Sequence, residues 1–430
     1  MASGQTGENH MKEESFFEKE NSIPDPWDLP LETLDVSKAE LFQNNKHGEY
    51  FRRLRKEAPV HYCPDSMHGA YWSITKYNDI VAIDTDHKRF SSDTNIVIGD
   101  VPEPEFVAPM FIAMDEPKHG VQRKTVQPAV APTQLSEMEE VLRQKVCKIL
   151  DDLPINEEFN WVERVSKELT TQMLATLFDF PFEDRHLLPY WSDVSTTTTT
   201  TGQDVDMFER QRILSEETLV YFSKLWHKRA AEPKKFDFIS LFAHGEETKD
   251  MINNPAEFLG NLILLIVGGN DTTRNSISAG VVELNHNPKE YDKLKSNPSL
   301  IPNMVSEIIR YQTPLGHMRR TALEDVEFRG QKIRKGDRVV MWYVSGNRDE
   351  EVIDNPDEFL IDRDKARQHV SFGFGIHRCM GNRVGELQLR ILWEEILKRF
   401  DRIEMTGEPE RVLSNFVMGY SNVPVRVHRK

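Results

Sequence analysis

Residues 371–400, SFGFGIHRCMGNRVGELQLRILWEEILKRF, place Phe372, Gly373, Gly375, His377, Cys379 and Gly381 in a glycine-rich loop that runs directly into a helical pattern. A cysteine just ahead of a helix N-terminus meets unpaired backbone N–H groups and the positive end of the macrodipole, and both favour the thiolate. The thiolate is the form that ligates a metal. The glycines let the loop pass close to a flat object, and Phe372 can shield the sulfur from water. Two other readings stand beside this one. A zinc site built from His369, His377 and Cys379 lacks a fourth nearby ligand, and a buried free cysteine at a helix cap needs no chemistry at all.

Composition narrows the choice. The chain has 430 residues, 38% of them hydrophobic and 29% charged, which fits a globular protein rather than a disordered or fibrous one. Its longest purely apolar run, Leu262 to Val267, is far short of the roughly 20 residues that span a bilayer. A net charge of -16 opposes binding to nucleic acid or to an anionic lipid surface. Three scattered cysteines make no disulfide framework, so a reducing, cytoplasmic location is expected, with Cys63 and Cys147 as structural residues. Residues 1–22 are polar and Glu-rich without an apolar signal-peptide core, and read as a disordered leader. No linker long enough to separate two domains follows, so residues 23–430 read as one domain.

The fold class is mainly α with small β-sheets. Met138, Val141, Leu142, Val146, Ile149 and Leu150 recur at helical spacing and predict an amphipathic helix, with Cys147 packed beside the apolar stripe as a small core residue. Further helices are predicted over 163–178, 256–288, 303–312 and 381–400. Strand patterns are fewer, at 70–77, 325–333, 337–344 and 423–429. The run Thr196 to Thr201 reads as a loop or a frayed helix end. In the long apolar helix, Gly268 and Gly269 are expected to loosen the backbone ahead of Asp271 and Thr272. Glu307 and Arg310, three apart, share one helix face and can form a salt bridge.

The F-G-x-G-x-H-x-C-x-G pattern of residues 372–381 resembles the haem-ligand loop of cytochrome P450 monooxygenases, and LIVGGNDTTRN (265–275) and SEIIRYQ (306–312) resemble that family's oxygen-activation and E-x-x-R segments in the same order. The resemblance implies the single-domain P450 fold, with haem b held between the long oxygen-binding helix and the helix after the cysteine loop. It implies Cys379 as axial ligand of the haem iron, and Asp271 and Thr272 as an acid–alcohol pair that organises proton delivery. His119, Arg123, Arg320 and His377 would face the two propionates, with Phe372 and Gly381 in the same cofactor site. Glu307 and Arg310 would be joined by a third basic residue, either Arg348 or Arg363, since Glu358 stands where many relatives carry an arginine.

The implied reaction inserts one oxygen atom of O2 into an unactivated C–H bond. The similarity of PDPWDLP, MDEPKHGVQRK and PLGHMRRTALEDVEFRG to the bacterial alkane-hydroxylase branch points to terminal (omega) hydroxylation of medium-chain alkanes or fatty acids. Hydroxylation of a terpenoid or steroid-like substrate, a peroxide-driven enzyme and a non-enzymatic haem-thiolate sensor are the alternatives; the acid–alcohol pair argues against the peroxide-driven one. The expected pocket lining is Ile96, Val97, Ile98, Leu264, Val267, Gly268, Leu315, Gly316, Phe416 and Val417. These are apolar, so a narrow apolar channel is expected, closed by the regions Thr196 to Thr201 and Asn95 to Met110. With no flavin or iron–sulfur segment in the chain, electrons would come from a 2Fe-2S ferredoxin and an NAD(P)H ferredoxin reductase. Arg378, Arg383, Arg390, Arg123 and Lys124 are the expected basic docking face.

Overall fold

A computed structural model describes residues 23–93, 95–99, 108–196 and 207–430. The expected leader, and Thr197 to Thr201 of the threonine run, lie outside the described residues.

The centre of the molecule is the helix Pro255–His286. Asn254 caps it and Pro255 opens it, where the missing proline N–H removes no helix bond. The helix is buried on most of its circumference, consistent with its weak apolar stripe. It packs against the helices Glu168–Leu177, Leu187–Thr196 and Ile301–Gln312. The helix Asn382–Arg399, which follows the cysteine loop, packs on Ile301–Gln312 and on Pro132–Asp151. Gly280 allows a close approach of the three helices: a methyl there would stand 3.0 Å from the Ile308 side chain and 3.1 Å from the Trp393 indole nitrogen.

The periodicities hold for most helices, with two corrections in Pro132–Asp151. Val141 is 47% exposed, while Leu135, Leu142, Val146, Ile149 and Leu150 form the buried stripe. Cys147 lies beside the core rather than in it, its Sγ 3.4 Å from a Glu395 carboxylate oxygen. A second departure concerns Gly268 and Gly269, which leave the long helix continuous from Pro255 to His286. Helix hydrogen bonding elsewhere along the rod, and burial on both sides, outweigh the roughly 1 kcal/mol each glycine costs.

The sheets are small and peripheral. Five strands run in the spatial order Val60–Cys63, Tyr71–Ile74, Arg338–Met341, Met318–Ala322 and Phe90–Ser91. The expected strand over 337–344 ends at Met341, and Tyr343–Gly346 forms a helical turn instead. A three-stranded sheet joins Glu158–Asn160, Pro424–Arg429 and Phe400–Met405. Among the described residues no helix is long and apolar enough to cross a membrane.

The Glu307–Arg310 pair is locked into a turn beneath the cysteine loop. Both side chains are fully buried, and Arg310 binds Glu307 bidentately at 2.7 Å through Nε and Nη2. Arg310 also donates to the carbonyls of Asn347, Pro356 and Glu358. The third member is Arg363, whose Nε lies 3.0 Å from Glu307 and whose fork also reaches the Asp354, Asn355 and Glu358 carbonyls. Arg348 instead stacks over the Tyr311 ring at 4.0 Å and donates to the Tyr311 carbonyl. Burial alone would raise the Glu307 carboxyl, but the Arg310 fork, with the Leu360 N–H and Arg363, holds it below the usual carboxylate range.

Candidate active site

A cavity of about 1880 Å³ separates the long helix from the cysteine loop. The loop is shaped by Gly373 and Gly375, at φ +63° and +65°; a side chain on Gly375 would meet the Asp84 carbonyl at 2.5 Å. Phe372 and Cys379 close the loop through a 2.8 Å bond from the Cys379 N–H to the Phe372 carbonyl. The following helix begins at Asn382 with Gly381 at its cap, and the Gly381 N–H bonds to the sulfur. Cys379 is open to the cavity yet deep in the fold. Burial pushes its thiol up, opposed by the Gly381 N–H and by the charges of Arg123 and Arg378. That environment resists a bare thiolate and suits one neutralised by a metal.

Thr272 and Asp271 both line the cavity wall opposite. Thr272 donates its hydroxyl to the Gly268 carbonyl one turn back, at 3.0 Å. The Asp271 carboxylate turns elsewhere: one oxygen lies 2.9 Å from Arg274, accepts from Asn270 at 3.0 Å and faces the Ser192 hydroxyl at 3.4 Å. Burial raises its carboxyl, and Arg274 works in the opposite direction. The expected pair is therefore adjacent in sequence without a direct hydrogen bond, and the partner of Asp271 that spacing did not reveal is Arg274.

Cationic and imidazole groups gather at another edge of the cavity. His119, Arg123, Arg320 and His377 all line it, with the His119 and His377 ring centroids 4.0 Å apart. His377 is notable because both its ring nitrogens are buried and unpartnered. Burial, reinforced by Arg320, pushes its pKa down to about 2. An orphaned buried N–H is costly unless a ligand completes it, and an anionic carboxylate would accept from the one N–H that a neutral imidazole carries. His119 differs: Nδ1 faces the Phe111 carbonyl at 2.8 Å and Nε2 the Ile376 carbonyl at 3.1 Å. A neutral imidazole donates only once, so one of these contacts is replaceable. Arg123 donates to the Arg378 carbonyl, and Arg320 pairs with Asp84 at 2.7 Å. Asp84 also accepts from the Tyr343 hydroxyl at 3.0 Å and the Phe374 N–H at 2.7 Å, tying Arg320 to the cysteine loop.

Between sulfur and cations there is room for a flat dianionic macrocycle. A Cβ on Gly268 or on Gly381 would meet nothing within 4 Å, so both faces of the gap are open. A thiol on one side and an orphaned His377 with two arginines at the rim match the axial ligand and propionate partners of haem. Among the described residues no cluster of His, Cys, Asp or Glu could hold a lone metal ion, which removes the zinc reading of Cys379.

Ile96, Val97, Ile98, Leu264, Val267, Gly268, Leu315, Phe416 and Val417 line the cavity. Gly316 does not; it lies behind the wall, where its N–H donates to the Phe416 carbonyl at 2.7 Å and a Cβ would meet the Asn415 carbonyl at 2.7 Å. Its role is to let strand and C-terminal turn touch, which positions Leu315 against Val417. Nor is the cavity uniformly apolar or narrow. Glu163, Lys167, Asp193, Arg210 and Arg274 line one branch of it. The basic face is also smaller than expected: Arg378, Arg383 and Lys124 are exposed, but Arg390 is ion-paired to Glu139 and Glu394, each at 2.9 Å.

Comparison with known proteins agrees with this geometry. The cytochrome P450 family model matches residues 124–426. Linalool 8-monooxygenase of Pseudomonas putida is 34% identical, over 92% of this chain and 99% of its own. A methyl-branched lipid omega-hydroxylase of Mycobacterium tuberculosis is 29% identical, over 94% and 97%. The solved structure of CYP153D17 from Sphingomonas sp. PAMC 26605 is 47% identical, covers 92% of this chain and 99% of its own, and superposes with a TM-score of 0.87. A thiol loop under a long helix, an orphaned histidine at the rim and a family match across most of the chain converge: the protein belongs to the cytochrome P450 family, whose cofactor is haem b.

Proposed function

We propose that this monooxygenase hydroxylates the terminal carbon of a medium-chain alkane or fatty acid. The observation that carries the proposal is the apolar wall formed by Leu264, Val267, Leu315, Phe416 and Val417 across the cavity from Cys379. Such a wall recognises hydrocarbon and offers no polar group to orient it. A primary C–H bond is stronger than a secondary one, so terminal attack requires the wall to hold a methyl end in place and keep inner carbons away. The similarity to a lipid omega-hydroxylase supports this reading. A terpenoid substrate is the second reading, supported by the 34% identity to a linalool monooxygenase and by the breadth of the cavity.

When bound, the haem supplies the iron at which O2 is reduced and from which one oxygen atom passes to the C–H bond. Cys379 is the proposed iron ligand, shielded by Phe372 and stabilised as thiolate by the Gly381 N–H. His377, Arg123 and Arg320, with His119 after release of one carbonyl contact, are the proposed propionate partners. In this reading Thr272 turns its hydroxyl from the Gly268 carbonyl toward the cavity, and Asp271, whose carboxyl burial raises, holds the proton. Moving that proton inward requires Asp271 to exchange its contact with Arg274 for water or Thr272. Electrons are proposed to arrive from a 2Fe-2S ferredoxin, reduced by an NAD(P)H ferredoxin reductase, at the face bearing Arg378, Arg383 and Lys124.

The test is the spectrum of the reduced holoprotein under carbon monoxide. A red-shifted Soret band that Cys379→Ala abolishes is the expected result. The same spectrum from both proteins would remove Cys379 as ligand, and retention of the thiolate band without any product from octane or dodecanoate would remove the substrate assignment.

A further inference from the structure

The charged branch of the cavity holds one arginine whose bonding is unlike that of its neighbours. Arg210 lines the cavity and is half-buried. Its Nε donates to the Val194 carbonyl at 3.2 Å and its Nη2 to the Ser195 carbonyl at 2.7 Å. Both acceptors belong to the last turn of Leu187–Thr196, where helix carbonyls have no partner of their own. No carboxylate of the described residues lies within ion-pair distance of Arg210. The acids sharing its wall are engaged with other cations. Asp193 lies 3.3 Å from Arg274 and 3.8 Å from Lys167, Glu163 lies 3.5 Å from Lys167, and Asp271 lies 2.9 Å from Arg274. Burial pushes the Arg210 guanidinium down from its ordinary value, as removal of a cation from water should.

We propose that Arg210 binds the carboxylate of a fatty-acid substrate, so that the chain is held by its head in this branch while its methyl end reaches the cavity above Cys379. The proposal rests on the hydrocarbon-hydroxylase reading and narrows it to the acid rather than the alkane. A half-buried guanidinium gives an alkane nothing, and an alkane placed beside it would leave the charge further desolvated. A carboxylate would instead accept charge-assisted bonds from the donors that the two carbonyls leave unused. The half-buried Gln211 stands next to it on the same wall. From there Leu214, Ile263, Leu264 and Val267 continue the cavity lining as apolar surface. A chain fixed at one end presents its other end at a set distance, which turns anchoring into regioselectivity.

The experiment titrates haem-loaded wild type, Arg210→Gln and Arg210→Lys with dodecanoate and with dodecane, following the spin-state change on displacement of axial water. Wild type is expected to bind dodecanoate. Arg210→Gln is expected to shift the ratio of the dodecanoate Kd to the dodecane Kd at least tenfold against the acid, about 1.4 kcal/mol, and Arg210→Lys to recover part of that shift. If Arg210 serves only to staple the helix end, the glutamine variant changes both Kd values alike and lysine restores neither selectively, which overturns the proposal. An unchanged ratio, or a wild type that binds dodecane but not dodecanoate, overturns it while leaving the hydrocarbon reading intact. A wild type that responds to neither ligand despite an intact thiolate carbon monoxide spectrum overturns both.

Discussion

Replacing Arg363 by alanine is expected to destabilise the fold by about 3 to 4 kcal/mol. Four donations vanish with it: one to the Glu307 carboxylate at 3.0 Å, and others to the carbonyls of Asp354, Asn355 and Glu358. A hydrogen bond to a charged group contributes about 1.5 to 3 kcal/mol and one to a neutral carbonyl about 1 kcal/mol. Water can reach part of the emptied turn, and Glu307 keeps Arg310 and the Leu360 N–H, so no carboxylate is left bare. The loss therefore falls short of the plain sum but remains a large share of a total stability of about 5 to 15 kcal/mol. Arg348→Ala is the matched control, since it loses one carbonyl bond, a cation–π contact and a 3.7 Å ion pair with the largely exposed Asp357, about 1 to 3 kcal/mol together. Urea unfolding of the holoproteins, followed by far-ultraviolet circular dichroism and by the Soret band, measures both. Equal costs for the two variants, or an Arg363→Ala protein within about 1 kcal/mol of wild type, would refute the assignment of Arg363 as the third member of the network.

Thr272→Ala should retain haem and the thiolate spectrum while the fraction of NADH recovered as hydroxylated product falls roughly tenfold and hydrogen peroxide rises, read by product and peroxide assays; unchanged coupling would remove Thr272 from proton delivery. Acid should unfold the protein through carboxylates whose folded pKa values are depressed: Glu307, against burial, by Arg310, and Glu395, against burial, by Lys398, Arg143 and Arg399 to about 2. Their contribution is fully present above the unfolded glutamate value of about 4.3 and is lost as pH falls through the folded values. Glu307→Gln should accordingly flatten the dependence of the urea midpoint on pH below about 5, and an unaltered slope would contradict it. Exchanging Arg378 and Arg383 for glutamate should slow reduction by an acidic ferredoxin about tenfold at low salt and little at high salt, measured by stopped flow; equal rates would move the docking face elsewhere.

The cysteine loop was legible because its members are neighbours in sequence and each answers a local need: glycines for positive φ, a thiol before a helix start, an aromatic shield. The long helices were legible from periodicity for the same reason. What stayed hidden was decided across the fold. Asp84 meets Arg320 from 236 positions away, and Arg363 meets Glu307 from 56 positions away, so composition could name candidates but not choose between Arg348 and Arg363. Arg274 was three residues from Asp271 and still missed, because the same spacing usually marks a solvated surface pair. Gly316 carried an apolar label by position, whereas its use is the close approach of two backbones. The charged branch of the cavity, assembled from Glu163, Lys167, Asp193, Arg210 and Arg274, comes from four separate helical segments and leaves no pattern in any one of them.

The most direct test of terminal hydroxylation is the product formed under oxygen-18-labelled O2 by the holoprotein with ferredoxin, reductase and NADH, using octane and dodecanoate as substrates. One labelled atom in a hydroxyl on the terminal carbon, with the second labelled atom in water, is the expected result. Label confined to subterminal carbons, or hydroxylated product without label, would contradict it.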